Sequence, residues 1–138
     1  QSHLQIGVLY RLLRQCDEAL KHFTSCMAIE QKLGNREGEA RILYLIGLTY
    51  QEMGQWAEAL EYYNQLLAAQ QELNDHDGRG ETLHQIGLIY QKTYRDSEAL
   101  NYFNQSLTIA QEVEFKELEM RNLEQIEVSR AKTNSELI

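Results

Sequence analysis

The residues of this chain that could carry out chemistry are few and widely separated. Cys16 and Cys26 are too few for a disulfide scaffold and too far apart for a zinc site. The four histidines lie in separate segments, without the spacing of metal ligands: His3, His22, His76 and His84. Neither a Gly-x-x-x-x-Gly-Lys phosphate loop nor a His-Glu-x-x-His zinc motif is present. We therefore expect no enzymatic activity, no metal site and no cofactor.

One short segment has the composition of a binding loop. It runs from Asp75 to Gly80 and, with Asp77 at its third position and Gly80 at its sixth, resembles the start of a calcium loop. However, Arg79 occupies the fifth position, and Ile86 stands at the twelfth, where a bidentate Glu is needed. We therefore interpret the segment as a turn between helices.

The overall composition excludes several classes of function. The 138 residues carry a net charge of −8, which disfavours both nucleic acid and anionic membranes as partners. No apolar run approaches the roughly 18 residues that span a bilayer. Two reduced cysteines suit a cytoplasmic location. The first residue is Gln1 rather than a methionine, so we expect a longer parent protein.

The strongest signal in the sequence is a repeat of 40 residues. Three short patterns recur at this interval: Ile6-Gly7, Ile46-Gly47 and Ile86-Gly87; Tyr10, Tyr50 and Tyr90; and Glu-Ala-Leu beginning at Glu18, Glu58 and Glu98. Residues 41–80 are identical to residues 81–120 at 15 of 40 positions. A repeat of this length indicates a solenoid or array of small structural units.

Each repeat is predicted to contain two helices. In the second repeat, apolar residues at spacings of three and four predict helix A from about Glu39 to Met53 and helix B from about Trp56 to Leu73. Gly54-Gln55 separates the two helices. Segment 74–78, which contains Asn, Asp and Gly residues typical of turns, ends the repeat. The chain contains no proline, which would interrupt such helices. We therefore predict an all-α fold.

A glycine in the middle of each helix A costs about 1 kcal/mol relative to alanine. A cost repeated at Gly7, Gly47 and Gly87 implies a packing reason. We predict that these glycines let helix A approach the alanine of helix B closely, and that an aromatic residue fills the space beside them. The alanines are Ala19, Ala59 and Ala99, and the aromatic residues are Phe23, Tyr63 and Phe103.

This constellation resembles the tetratricopeptide repeat family. The family pattern of Leu-Gly, then Tyr three residues later, then Ala and an aromatic residue in helix B, is represented by 46–50, Ala59 and Tyr63. The resemblance covers about residues 1–114 and implies a right-handed α-solenoid of antiparallel helix pairs. The usual period is about 34 residues, with a Pro after helix B. Here the period is 40, and Gln31, Gln71 and Gln111 take the place of that Pro. A 40-residue unit resembles the long-helix subgroup found in kinesin light chains, Pins-type adaptors and bacterial signalling proteins.

Three repeats are predicted, at about 1–34, 35–74 and 75–114. In 115–138, Leu123 and Ile126 continue the helix A series, but Glu127 and Arg130 replace its glycine and tyrosine. We therefore predict a polar capping helix, such as solenoid ends require, with a loose tail from Lys132.

The resemblance also implies a concave surface lined by helix A. By position, its residues are Leu4, Val8, Arg11 and Leu12; Arg41, Tyr44, Leu48, Gln51 and Glu52; Glu81, His84, Leu88, Gln91 and Lys92; and Arg121 and Glu124. Relatives that clamp a carboxylate tail have Lys, Arg or Asn at several of these places. Here those places are apolar or aromatic, so an apolar or amphipathic segment is the expected ligand.

The sequence thus predicts a scaffold or adaptor module that binds another protein or peptide. One alternative is a regulatory sensor arm of a larger signalling ATPase or protease-like protein. The groove could instead be covered by a neighbouring helix of the parent protein, or by a second copy through self-association.

Overall fold

Residues with a left-handed backbone conformation divide the chain at intervals of 20 residues. The computed structural model describes residues 2–137, with side chains for 4–134, and φ is positive at Arg14, Gly34, Gly54, Asn74, Tyr94 and Glu114. Such a residue commonly ends a helix. The helices between these turns are α1 (Ser2–Leu12), α2 (Cys16–Leu33), α3 (Arg36–Glu52), α4 (Trp56–Glu72), α5 (His76–Lys92), α6 (Asp96–Glu112) and α7 (Lys116–Leu137). The described residues contain no strand, which confirms the all-α fold.

Side chains from the predicted turns begin two of the helix A segments. Asn35 accepts a hydrogen bond from the Gly38 backbone N–H at 3.2 Å, and Asp75 accepts one from the Gly78 N–H at 3.0 Å. Asn and Asp are favoured here because their oxygens satisfy backbone donors left unpaired in the first helical turn. The segment from Asp75 is therefore a helix start, as the sequence predicted.

The contacts divide the chain into two compact units. Unit 1 comprises residues 1–69 and unit 2 comprises residues 70–138, so the division falls within α4. It does not coincide with the expected repeat boundaries near 34 and 74, and those boundaries remain predictions.

The core of unit 1 joins α2 to the middle of α3. Ala19, Phe23 and Cys26 from α2 pack with Ile42 and Ile46 from α3. The i, i+4 spacing on α3 places both isoleucines on one helix face. Ile46 thus packs against α2 of the preceding helix pair.

The glycines of helix A lie directly against aromatic rings. A Cβ atom on Gly47 would come within 2.6 Å of Cε1 of Tyr63, and one on Gly87 would come equally close to Cε1 of Phe103. Gly7 stands in the same relation to Phe23. The close approach predicted from the sequence is present, but the group that requires a glycine is the ring rather than the alanine of helix B.

The helix A tyrosines stack on the following helix B. Ring centroids are 5.6 Å apart for Tyr50 and Tyr62 and 5.3 Å apart for Tyr90 and Tyr102, with nearly parallel planes. Tyr10 stacks on the His22 ring in the same position of the first pair. These contacts fix the angular position of helix A against helix B.

Helix α7 packs against α6 and α5 and is longer than predicted. It runs to Leu137, so residues 132–137, which we expected to form a loose tail, are helical. Its buried face consists of Leu118, Asn122, Ile126 and Ser129. Half of that face is polar, which explains why the apolar pattern alone predicted too short a helix.

Candidate functional site

In unit 1, helices α1 and α3 carry a half-buried apolar surface, which we call the α1–α3 face. It consists of Leu4, Val8, Tyr44 and Leu48. Leu4 and Val8 pack on the core of unit 1 with part of each side chain. The second pair repeats the first after 40 residues, so the two helices present the same pattern.

Polar side chains of the same two helices are paired within unit 1. The Arg11 guanidinium forms an ion pair with the Glu52 carboxylate, which links α1 to α3. Gln51 Oε1 accepts a hydrogen bond from the Tyr63 hydroxyl at 2.6 Å. Burial raises the pKa of Tyr63, so its phenol remains a donor. Three of the predicted groove residues in this unit therefore stabilise the fold, which limits what they can offer a ligand.

The remaining predicted residues of unit 1 are open to solvent. Arg41 is exposed, and Leu12 is exposed despite being apolar. Arg41 is thus a charged group beside the α1–α3 face that can meet a ligand.

In unit 2, the structure corrects the prediction for His84. This side chain is only 4% exposed and is tilted against the Phe103 ring, with 5.4 Å between the ring centroids. Burial lowers the pKa of His84, the hydrogen bond that His84 donates to Asn122 opposes that effect, and nearby Arg121 adds to it. His84 is therefore a core residue rather than an open groove residue. Its register counterpart in unit 1, Tyr44, is only half-buried.

A chain of hydrogen bonds explains the burial of His84. Its Nδ1 lies 2.8 Å from Asn122 Oδ1, and Asn122 Nδ2 donates to Ser106 Oγ at 2.8 Å. Ser106 in turn donates to the Gly80 carbonyl at 2.7 Å. Because the Asn122 oxygen can only accept, the donor is His84 Nδ1–H. The network joins α5, α6 and α7.

Leu88 also differs from its prediction. It packs against the unit 2 cluster of Ala99, Phe103 and Ile126, so it belongs partly to the core. We expected Leu88 to lie outside the core, and a charged substitution there would disturb packing as well as binding.

The polar residues predicted for unit 2 mostly hold α7 in place. Arg121 of α7 forms an ion pair with Glu81 of α5. Gln91 of α5 donates to Ser129 Oγ at 3.1 Å. Lys92 and Glu124 are exposed.

Sequence reasoning missed a groove on another side of unit 1, which we call the α2–α4 groove. It has a volume of about 590 Å³, and its lining residues are Thr24, Met27, Ala28, Gln31, Arg36, Glu39, Leu43, Ile46, Tyr62, Gln65 and Ala68. Half of its lining is polar, so no apolar pattern distinguishes it in the sequence. Tyr62, an aromatic residue of α4, is the signal in the sequence that could have pointed to this groove.

The described residues form neither a metal site nor a membrane-spanning helix. Within residues 4–134, no three His, Cys, Asp or Glu side chains are grouped as a metal site would require. None of the described helices combines the length and apolar character needed to cross a bilayer.

The fold and the recurring glycine, tyrosine and alanine positions define the class of protein. The profile of the tetratricopeptide repeat family matches residues 1–72 and 39–112. The chain therefore belongs to the tetratricopeptide repeat family, whose fold is typically a non-enzymatic protein-interaction module. No curated protein sequence matches it significantly.

Solved structures with the same fold include two Rap proteins and a kinesin light chain. RapI in its apo form has a TM-score of 0.86 and 15% identity, over 96% of this chain and 48% of RapI. The Rap conjugation gene regulator of plasmid pLS20, in complex with the Phr* peptide, has a TM-score of 0.68 and 15% identity, over 96% of this chain and 41% of the regulator. The nearly identical repeats of a putative kinesin light chain from Podospora anserina have a TM-score of 0.66 and 22% identity, over 96% of this chain and 75% of that one.

These similarities establish the fold, a helical-repeat solenoid of the predicted type. The kinesin light chain repeats share this fold with the chain. The chain spans less than half the length of either Rap protein.

Proposed function

We propose that this chain is an adaptor module that binds an apolar or amphipathic peptide segment on the α1–α3 face of unit 1. The observation that carries the proposal is the recurrence of half-buried apolar side chains, Leu4 and Val8 on α1 and Tyr44 and Leu48 on α3. An apolar helix face laid on such a surface removes more of these side chains from water. Arg41 is the exposed charge that would orient the ligand.

Two findings support a peptide as the ligand. The chain belongs to a family of interaction modules, and a Rap regulator of the same fold is known in complex with a peptide. Apart from the exposed Arg41, the polar groups beside the α1–α3 face are already paired, Arg11 with Glu52 and Gln51 with Tyr63. Apolar contact is therefore the main interaction that this face can make with a ligand.

We also propose a cytoplasmic location, which the free cysteines Cys16 and Cys26 suit.

The Rap similarity supports a second form of the proposal. In that form the chain is the regulatory arm of a longer signalling protein, and a bound peptide changes the activity of the rest. Both forms require the same binding face.

The test is a selection of peptides from a displayed library against the whole chain, followed by affinity measurement with fluorescence anisotropy. Leu48→Glu should weaken binding by about tenfold or more, since losing the burial of a leucine costs about 1.5–3 kcal/mol. Ala68→Glu is the matched control, because Ala68 is exposed in the α2–α4 groove. Leu88 is left unchanged because it belongs partly to the core of unit 2.

Circular dichroism should show the same helicity for both variants and the unmodified chain. If Ala68→Glu abolishes binding and Leu48→Glu does not, the ligand binds the α2–α4 groove and the proposal is wrong.

A further inference from the structure

One carboxylate in unit 1 lacks the hydrogen bond that its burial demands. Glu30 lies near the end of α2, and its Oε2 is buried with no hydrogen-bond partner. The carboxylate is packed so closely on Gly38 that a Cβ atom there would collide with it. Buried polar atoms are nearly always paired, because an unpaired one loses its hydration without compensation.

The 40-residue repeat shows what is missing. Gln70 of unit 2 stands at the position of Glu30, and Thr82 stands at the position of Ile42. The Thr82 hydroxyl donates to Gln70 Oε1 at 2.9 Å. In unit 1 the acceptor has become a carboxylate, and the donor has become a hydrocarbon side chain. Among the described side chains, unit 1 therefore supplies no counterpart of the Thr82 hydroxyl to Glu30.

The Glu30 carboxylate lines a small cavity of about 150 Å³, which we call the Glu30 cavity. Five of its eight lining residues are apolar or glycine: Leu4, Cys26, Ile29, Gly38 and Ile42. The other three are Glu30, Asn35 and Arg41, and the Arg41 side chain is exposed to solvent. One water needs about 10–15 Å³ of such space, so the cavity can hold a group of several heavy atoms. Burial raises the pKa of Cys26, so this wall residue is a neutral thiol.

The geometry points to an alkylammonium group as the occupant; we propose that the Glu30 cavity binds the side chain of a lysine or a small primary amine. An ammonium group carries the opposite charge and supplies three donors. Its methylene stem can lie along Leu4 and Ile42 while the charged head meets the carboxylate. A divalent cation fits poorly, since it requires about six oxygen ligands and Glu30 is the one carboxylate in the lining.

The test uses n-butylammonium as the probe and n-butanol as the uncharged control of similar shape. Binding is followed from the methyl NMR signals of Ile29 and Ile42 and from the Tm of the whole chain. In the unmodified protein, n-butylammonium should shift these signals and raise the Tm, whereas n-butanol should do neither. Equal responses to both compounds, or no response to n-butylammonium, would overturn the proposal.

The chain supplies its own matched variants. Glu30→Gln places at this position the residue that unit 2 already carries at Gln70, so we expect it to fold. It should weaken n-butylammonium binding about tenfold or more, because hydrogen bonds to a charged group are the stronger kind. The double change Glu30→Gln with Ile42→Thr rebuilds the pairing of unit 2 and should abolish binding, although it also removes a buried isoleucine from the core of unit 1. Unchanged affinity in both variants contradicts the assignment to Glu30.

A third probe distinguishes the two sources of the amine. Nα-acetyl-lysine amide should bind more tightly than n-butylammonium if the occupant is a lysine of a bound peptide, and less tightly if it is a free amine. The site shares Leu4 with the α1–α3 face but is tested without any peptide. Leu48→Glu should therefore bind n-butylammonium as the unmodified chain does, even if the proposed peptide binding fails.

Discussion

At the scale of single residues, the glycine and aromatic pairs set the distance between helices within each pair. Gly47 and Tyr63 show this in unit 1, and Gly87 and Phe103 show it in unit 2. Glycine has a lower helix propensity than alanine, but it lets the aromatic ring pack directly on the helix backbone, where any side chain would collide with the ring. The sequence predicted the close approach because the pattern occurs three times.

Replacing Gly47 with alanine should lower the stability of unit 1 by about 1–3 kcal/mol, despite the better helix propensity of alanine. The reason is the collision of the new methyl group with the Tyr63 ring. Chemical denaturation of Gly47→Ala, Tyr63→Leu and the double variant forms a thermodynamic cycle. In the Tyr63→Leu background the alanine should cost less. Additive costs would show that the ring is not the obstacle.

His84 makes the stability of the protein depend on pH. Because burial lowers its pKa in the folded state, the unfolded chain takes up a proton at a higher pH than the folded chain does. The stabilisation is complete above about pH 6.5, the usual pKa of histidine, and is lost as the pH falls below that value.

Urea denaturation between about pH 8 and pH 5 should therefore show falling stability, with a slope from this residue of at most about 1.4 kcal/mol per pH unit. His84→Gln is the control, since its amide N–H can still donate to Asn122 and does not titrate. If His84→Gln keeps the full dependence of stability on pH, that dependence arises from another residue.

At the scale of helices, α7 is attached by a mixed polar and apolar surface. Leu118 and Ile126 supply the apolar part, and Asn122 and Ser129 supply the polar part. Sequence reasoning found the helix from Leu123 and Ile126, but of these two only Ile126 is buried. A hydrogen-bonded side chain such as Asn122 looks like a surface residue until its partners are known.

Deleting residues 116–138 should lower the Tm and promote aggregation. The burial of Leu118 and Ile126 alone is worth about 3–6 kcal/mol, and the loss of α7 uncovers their contacts on α5 and α6. Removing only residues 135–138 is the control and should leave the Tm nearly unchanged. Equal Tm values for the two truncations would show that α7 has no stabilising role.

At the scale of the whole molecule, the repeat period determined most of what could be predicted. It gave the all-α class, the helix pairs and the turns, because all of these depend on local spacing. It could not give the binding residues equally well, since repeat position alone does not distinguish buried His84 from half-buried Tyr44. That difference depends on Asn122 and Ser106, which lie 38 and 22 residues from His84 in the sequence.

A net charge of −8 would make a charge-driven ligand strongly sensitive to salt. The α1–α3 face is apolar, so a peptide selected for it should lose less than about threefold in affinity between about 50 and 500 mM salt. Titrations of one peptide across this range provide the measurement. A fall of about tenfold or more would mean that charges such as Arg41 dominate binding.

The polar network of unit 2 also bears on how similar repeats avoid pairing incorrectly while the chain folds. His84, Ser106 and Asn122 occupy the places that Leu4, Cys26 and Ile42 hold 80 residues earlier. If α7 docked on α2 in place of α3, Asn122 would be buried beside Leu4 and Cys26 without its strong hydrogen-bond partners. Tandem repeats are prone to such exchanges. We therefore expect the polar residues of unit 2 to disfavour docking of α7 at the wrong position, which favours the native order of the helices.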